Sequence, residues 1–279
     1  MKIDKVFNNN VVATITEDGK EAIVTGPGVG FQKKAGDLVD PNKIKKQFFP
    51  QNVRKNKLYK LLERTPIEYL EISEAILNKA RMELNTEISD SILIALTDHI
   101  AFSIERQKEG IKLPSLILTE TKVMYPEVFK VGEWALHIIK ELMDIQLEED
   151  EAGYITLHII NGMGQTGNEN AFQVIEYVKD VTKCIENTFQ IQIDRNSLSY
   201  TRLTSHLKFF VQRLLQNKEI AAEDFADMYH LLEAKDSRLH VCMDNIKWLT
   251  KHEFEYDLDT NEMVYLMIHI LKVIREPGL

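Results

Sequence analysis

The stretch Leu96-Thr97-Asp98-His99-Ile100, followed by Phe102, Ile104 and Arg106, returns later in the chain as Leu203-Thr204-Ser205-His206-Leu207 with Phe209, Val211 and Arg213. The offset is 107 residues. A second block, Glu151 with Tyr154-Ile155-Thr156-Leu157-His158-Ile159, returns as Glu262 with Tyr265-Leu266-Met267-Ile268-His269-Ile270 at an offset of 111. Two blocks repeated in the same order at nearly one offset define a duplicated module of about a hundred residues. Each copy carries two histidines at matching positions.

The spacing around these blocks predicts helices. Ile92, Leu93, Leu96, Ile100 and Ile104 form a stripe at three- and four-residue intervals, opened by Asp90-Ser91 and closed by Gly110. Upstream, Pro66 stands at a helix start and Ile67, Leu70, Ile72, Ile76 and Leu77 follow at the same rhythm. Further helices fit Glu127 to Met143 and Glu149 to Asn161, and Gly162 to Asn168 reads as a flexible joint before the second copy, which runs from about Ala171 to Arg275.

The start of the chain has a different texture. Ile3, Lys5 and Phe7 alternate with Lys2, Asp4 and Val6, the period of a strand. Asn8-Asn9-Asn10 makes a turn, Val11 to Ile15 a second strand, Glu17-Asp18-Gly19-Lys20 a hairpin connection and Glu21 to Thr25 a third strand. A glycine-rich loop follows, and Ile44 to Phe49 can supply a fourth strand. Pro50 to Lys57 is polar and reads as a linker. The expected architecture is multidomain: a small antiparallel β-sheet domain over 1–57 with its linker, then two tandem all-α helical bundle domains over 58–169 and 170–279. A lone sheet of this size buries little apolar surface, so pairing with a second copy of the chain is expected.

Composition agrees with a soluble globular protein, at 44% hydrophobic and 28% charged residues. No run of 18 apolar residues is present, so no membrane insertion is expected, and Met1 to Lys5 lacks the apolar core of a secretion signal. Cys184 and Cys242 have no metal-ligand spacing and suit a reducing cytoplasm. The charge is split: residues 1–57 hold 11 Lys/Arg against 6 Asp/Glu, a balance of +5, and the remainder holds 23 against 37, a balance of −14. A basic head on an acidic body points the head, and not the body, at a polyanion.

Three chemistries could use His99, His158, His206 and His269. Metal binding lacks a His-x-x-x-His or His-Glu-x-x-His pattern, and Glu151 to His158, or Glu262 to His269, spans two helical turns. Hydrolysis with Asp98 as the orienting carboxylate meets Ser205 in the second copy and finds no accompanying nucleophile motif. Acceptance of a phosphoryl group adds one to two negative charges at a helical surface, roughly enough to reorganise a bundle or its pairing. His137, His230, His240 and His252 have no counterparts at these offsets and are taken as structural or exposed.

Gly26-Pro27-Gly28-Val29-Gly30 does not match the dinucleotide fingerprint, because the spacing differs and no helix start follows. Two readings stand. In one, Gly26, Gly28 and Gly30 supply turn geometry. In the other, the loop approaches a folded polyanion, with Phe31 stacking on a base, Asn8 and Asn10 offering amides to base edges, and Lys5, Lys33 and Lys34 meeting phosphates.

The residues Met1-Lys2-Ile3 through Asn8-Asn9-Asn10, Gly26-x-Gly28-x-Gly30-Phe31-Gln32-Lys33-Lys34, Leu96-Thr97-Asp98-His99, Asp150 through His158, Leu203 through Phe210 and Ile268-His269 together resemble the BglG/SacY/LicT-type transcriptional antiterminators across essentially the whole chain. The resemblance implies an RNA-binding co-antiterminator head that dimerises and holds a hairpin in nascent messenger RNA, preventing a terminator from forming. It places Lys5, Asn8, Asn10, Gly26, Gly28, Gly30, Phe31, Gln32 and Lys33 at the RNA, with Pro27 where some relatives carry a basic residue. It makes His99, His158, His206 and His269 phosphorylation sites of the sugar phosphotransferase system, with HPr and a sugar-specific permease as donors. Phosphates on the first regulation domain usually inactivate and those on the second activate. No cofactor, no metal and no enzymatic turnover are implied. The rival expectations are a DNA-binding transcription activator with the same regulation domains, which needs a helix-turn-helix at the start, and a phosphotransfer component that passes phosphate onward.

Overall fold

The structure is a computed structural model that describes residues 1–16, 18–49, 55–112, 117–163, 171–216 and 225–276. The head is one antiparallel sheet in the order β1 (Lys2–Asn8), β2 (Val11–Ile15), β3 (Glu21–Thr25) and β4 (Lys46–Phe48). β2 and β3 pair without interruption from Val11↔Thr25 to Ile15↔Glu21, across a turn where Gly19 adopts φ +81°. β1 meets β2 with two register shifts, between Ile3 and Lys5 and between Val6 and Asn8, so its side chains do not keep strict alternation. Ile3, Val12, Val24, Val29 and Val39 form the core, with Met1, Val6 and Ile44 packed against it. The fourth strand is shorter than the expected Ile44 to Phe49. A helical turn at Pro41–Lys43, capped by the Asp40 side chain on the Asn42 amide, takes up the approach to it. No helix-turn-helix exists among the described residues of 1–49, which are strand and loop apart from that turn.

Eleven helices follow among the described residues: α1 (Lys55–Arg64), α2 (Ile67–Leu84), α3 (Leu93–Lys108), α4 (Leu118–Met124), α5 (Pro126–Met143), α6 (Asp150–Met163), α7 (Ala171–Phe189), α8 (Leu198–Leu215), α9 (Ala226–Glu233), α10 (Arg238–Phe254) and α11 (Thr260–Val273). The expected small β domain followed by a duplicated helical region is the observed fold class. Lys55 to Lys57, expected in the linker, already belong to α1, whose apolar positions Leu61 and Leu62 are buried. Gly162 and Met163, expected in a joint, are the last residues of α6. A Cβ on Gly162 would stand 2.6 Å from Ile92 Cδ1 and 2.7 Å from Ile88 Cγ2, so this glycine admits two isoleucines and does not break the helix. The rest of that joint, and the 169/170 boundary, lie outside the described residues.

The chain forms two compact units, one of residues 1–114, 131–151 and 158–163, the other of residues 115–130, 152–157 and 164–279. In the first, α2 packs on α3, and α1 lies against β1 and α3. Tyr59 of α1 donates to Asp4 (3.0 Å) with its ring edge-on to Phe7, and Lys5, Lys45 and Lys46 pair with Glu63, Glu71 and Glu74. In the second, α7 packs on α10, α8 on α11 and α7, and α4 on α7 and α8. Its core includes Tyr177, whose hydroxyl pairs with Thr250 at 2.7 Å. No helix among the described residues is long and apolar enough to cross a membrane.

Candidate functional site

The four repeated histidines come together in two pairs, one within each unit. His99 on α3 and His158 on α6 have ring centroids 5.0 Å apart. His206 on α8 and His269 on α11 stand at 5.2 Å. Periodicity explains half of this. His99 and Arg106, like His206 and Arg213, are seven residues apart and share a helix face, as do Glu151 and His158, or Glu262 and His269. The crossing of the two helices then does what spacing along one chain could not, and brings the glutamate of one helix to the histidine and arginine of the other.

In the first copy Glu151 Oε2 lies 3.0 Å from His99 Nε2 and accepts from Ser103 Oγ at 2.6 Å, while Oε1 accepts from Arg106. In the second, Glu262 Oε2 lies 3.3 Å from His206 Nε2, a contact without hydrogen-bond alignment, and Oε1 accepts from Arg213. Neither His206 Nε2 nor Glu262 Oε2 has a hydrogen-bond partner elsewhere, so each is the other's available mate. Position 103 is the one clear difference, because Phe210 occupies the equivalent place and offers no hydroxyl. The glutamate side chains are 5% exposed and the first histidines 17% and 16%.

Local structure fixes each carboxylate. Glu151 is the second residue of α6, and Glu262 the third of α11, whose start is capped by Asp259 accepting the Glu262 amide at 2.8 Å. Both sit where the helix dipole favours an anion. Burial pushes both carboxyls up. The imidazole and guanidinium neighbours, with Ser103 in the first copy, outweigh it and hold both below the usual carboxylate range. The second histidines go the other way. Burial, then the neighbouring His99, pushes His158 down to about 4. Burial, His206, Lys272 and Arg202 push His269 down to about 4. Both are neutral imidazoles, able to act as nucleophiles, at neutral pH.

A pH dependence follows. The folded values of His158 and His269 lie below the ordinary 6.5, so between about pH 6.5 and 4 the unfolded chain binds more protons and stability falls as the solution is acidified. The two glutamates act in the same sense at lower pH. His158 alone is expected to contribute a loss of about 2 kcal/mol from pH 7 to pH 5. Calorimetric melts at pH 7, 6 and 5 check this, with His158→Gln flattening the curve, and a Tm that rises on acidification contradicts it.

Sequence reasoning passed over Glu151, Glu262, Arg106, Arg213 and Ser103 as functional residues, although four of the five stand in the repeat. Asp98, the orienting carboxylate of the hydrolytic reading, pairs with Arg64 at 2.5 Å on the surface and not with His99. Among the described residues no three His, Cys, Asp or Glu side chains form a metal-holding group.

In the head, the Asn8–Asn10 turn and the glycine loop are zipped together. Asn8 Oδ1 accepts the Asn10 amide (2.8 Å), Asn10 Oδ1 accepts the Gly28 amide (2.9 Å), and Gly26 and Gly30 donate to the carbonyls of Asn10 and Asn9. The side-chain oxygens expected to read base edges are therefore spent on the loop, which leaves the NH2 donors for a ligand. Gly26 and Gly30 are buried, and a Cβ on either would strike backbone, Lys43 O at 1.8 Å and Asn8 O at 2.3 Å. Both positions therefore require glycine for the approach of this protein's own chain. Gly28, with φ +67°, is the glycine that needs the left-handed region. Phe31 is 52% exposed beside exposed Gln32, Lys33 is half-buried, and Lys5 Nζ lies 2.5 Å from Glu63.

A β head with an exposed aromatic-and-amide loop, joined to two helical modules that each set a histidine pair beside a buried carboxylate, defines a class: a nucleic-acid binder under the control of one regulatory module present twice. Family models match accordingly, the CAT RNA binding domain over residues 1–57 and the PRD domain over 74–162 and 179–273. The transcription antiterminator LicT of Bacillus subtilis (strain 168) is 37% identical over 277 residues, covering 99% of this chain and 100% of its own. A beta-glucoside operon antiterminator of Dickeya chrysanthemi is 32% identical, covering 99% and 98%. The solved structure of LicT in complex with its RNA target aligns over 19% of this chain and 94% of that one, at 54% identity and a TM-score of 0.18. The chain belongs to the family of transcription antiterminators that join a CAT RNA binding domain to two PRD domains.

Proposed function

We propose that this chain is a cytoplasmic transcription antiterminator that binds a hairpin in a messenger RNA leader and keeps a terminator from forming. Two heads act side by side, and His99, His158, His206 and His269 accept phosphoryl groups from HPr and a sugar-specific permease. The working division is 1–57 for RNA and 58–169 and 170–279 for regulation. Asn8, Asn10, Gly26, Gly28, Gly30, Phe31 and Gln32 form the RNA-facing loop and turn, and Lys5 and Lys33 meet the RNA's phosphates. The observation that carries this reading is the imidazole–carboxylate–guanidinium arrangement built twice in one chain, in a family whose named members are antiterminators.

A charge placed on a half-buried imidazole must be accommodated by moving the helices or their pairing, which is how modification reaches a head elsewhere in the chain. The test is in vitro transcription through a leader terminator, with light scattering, comparing the chain with His206→Asp/His269→Asp. Read-through and dimerisation are expected to rise in the variant, and no change in either defeats the proposal. Phosphate from labelled HPr is expected to stay on the protein and not pass to a sugar. Phe31→Ala is expected to weaken RNA binding by about 1–3 kcal/mol, the worth of one stacked base, by gel shift.

A further inference from the structure

The first histidine of each pair faces a buried glutamate through Nε2. His99 Nε2 and His206 Nε2 each face Oε2 of a buried glutamate, at 3.0 and 3.3 Å. The other oxygen of each glutamate is taken by an arginine, which stops the carboxylate from rotating away. A carboxylate held in the ionised form only accepts hydrogen bonds, so the nitrogen facing it carries the proton. A neutral imidazole has one N–H, and which nitrogen bears it is set by the partner of that nitrogen.

We propose that Glu151 and Glu262 are positioning residues that keep the proton of His99 and His206 on Nε2, so that Nδ1 is the nitrogen that takes the phosphoryl group. This rests on the reading that these histidines are phosphoryl acceptors. The Nδ1 lone pair attacks the phosphorus of the donor's phosphohistidine. The donor ring enters with its other nitrogen protonated, so when its N–P bond breaks and the electron pair returns to the donor nitrogen, a neutral donor imidazole is left. The positive charge that appears on the acceptor ring is shared with Nε2–H against the glutamate, and no proton has to leave. The same carboxylate that orients the ring also stabilises it as it becomes cationic, the service a buried aspartate gives a catalytic histidine. A phosphate on Nε2 would instead push a dianion into a buried carboxylate, a like-charge pair in a region of low dielectric.

Three readouts on the full-length chain test this. Ring 15N shifts of unmodified, 15N-histidine-labelled protein near neutral pH are expected to report the Nε2–H tautomer for His206 and His99. The Nδ1–H tautomer overturns the proposal and leaves the phosphoacceptor reading standing. After phosphorylation by phosphorylated HPr, 31P–15N coupling is expected to place phosphate on Nδ1 of His206. Phosphate on Nε2 overturns the proposal alone, while no label on any of the four histidines overturns both readings. In Glu262→Gln, whose amide can face either tautomer, labelling of His206 is expected to slow about 10- to 100-fold and to yield both isomers, with His99 labelled as before. Labelling of His206 at the unaltered rate and with one isomer contradicts a positioning role. Circular dichroism of the variant separates this loss from unfolding, and the tautomer measurement needs no variant.

Discussion

Gly26→Ala is expected to unfold the head and abolish RNA retention while the helical signal persists. The added methyl would stand 1.8 Å from the carbonyl oxygen of Lys43 and 2.9 Å from the Lys45 amide nitrogen, both backbone atoms. Neither can swing aside. The Lys45 amide is bonded to Thr25 O at 2.8 Å and the Gly26 amide to Asn10 O at 3.0 Å, so any shift opens the joint between β3, the asparagine turn and the segment leading to β4. Overpacking against backbone costs about 3–5 kcal/mol. A sheet of this size has roughly 3–8 kcal/mol to lose. Gly19→Asn is the control: nothing lies within 4 Å of that position, and asparagine tolerates its positive φ, so a small effect is expected. Far-ultraviolet circular dichroism with filter binding checks the pair, and a Gly26→Ala head that still binds RNA refutes the expectation.

Arg106→Met is expected to destabilise the first unit by about 3–5 kcal/mol at neutral pH, because it strands the buried carboxylate of Glu151 without its cation. Ser103 and His99 remain on the other oxygen, and they do not replace a full positive charge. The penalty relative to the unaltered chain is expected to shrink as pH falls, since the stranded carboxyl then takes up a proton more readily in the folded state than in the unfolded one. Arg106→Met/Glu151→Gln is expected to recover at least half of the loss. Lys130→Met, which breaks only the exposed pair with Glu127, is expected to change stability by less than about 1 kcal/mol. Urea melts at two pH values measure all three variants against the unaltered chain. Equal losses from Arg106→Met and Lys130→Met contradict the argument.

The repeat and the strand alternation carried most of the fold because both are local signals. Helix starts at Pro66 and Asp90-Ser91, the Asp18-Gly19 turn and three of the four strands were legible in that way. Gly162 was misread because a glycine after a helical stripe signals a break, and only the packing of Ile88 and Ile92 shows why the helix needs it. The histidine pairs were legible as a duplication, but their chemistry was not. Glu151 lies 52 positions from His99 in the chain, and no spacing rule joins them before two helices cross. Asp98, the neighbouring carboxylate that proximity favours, points to Arg64 instead. Arg106 stood in the first repeated block and Glu151 in the second, and their shared survival is the signal that could have found the site. The loop asparagines were recognised as polar contacts, yet the bond that consumes the Asn10 oxygen depends on the Gly28 amide 18 residues on.

One hydroxyl separates the two copies at their centre. Ser103 gives Glu151 a third donor, whereas Phe210 at the matching position gives Glu262 none and leaves its Oε2 to His206 alone. Pulling the carboxylate away from its imidazole therefore breaks more bonds in the earlier module than in the later one. Sequence divergence after duplication has left two copies of one design in which the earlier carboxylate is the more firmly anchored.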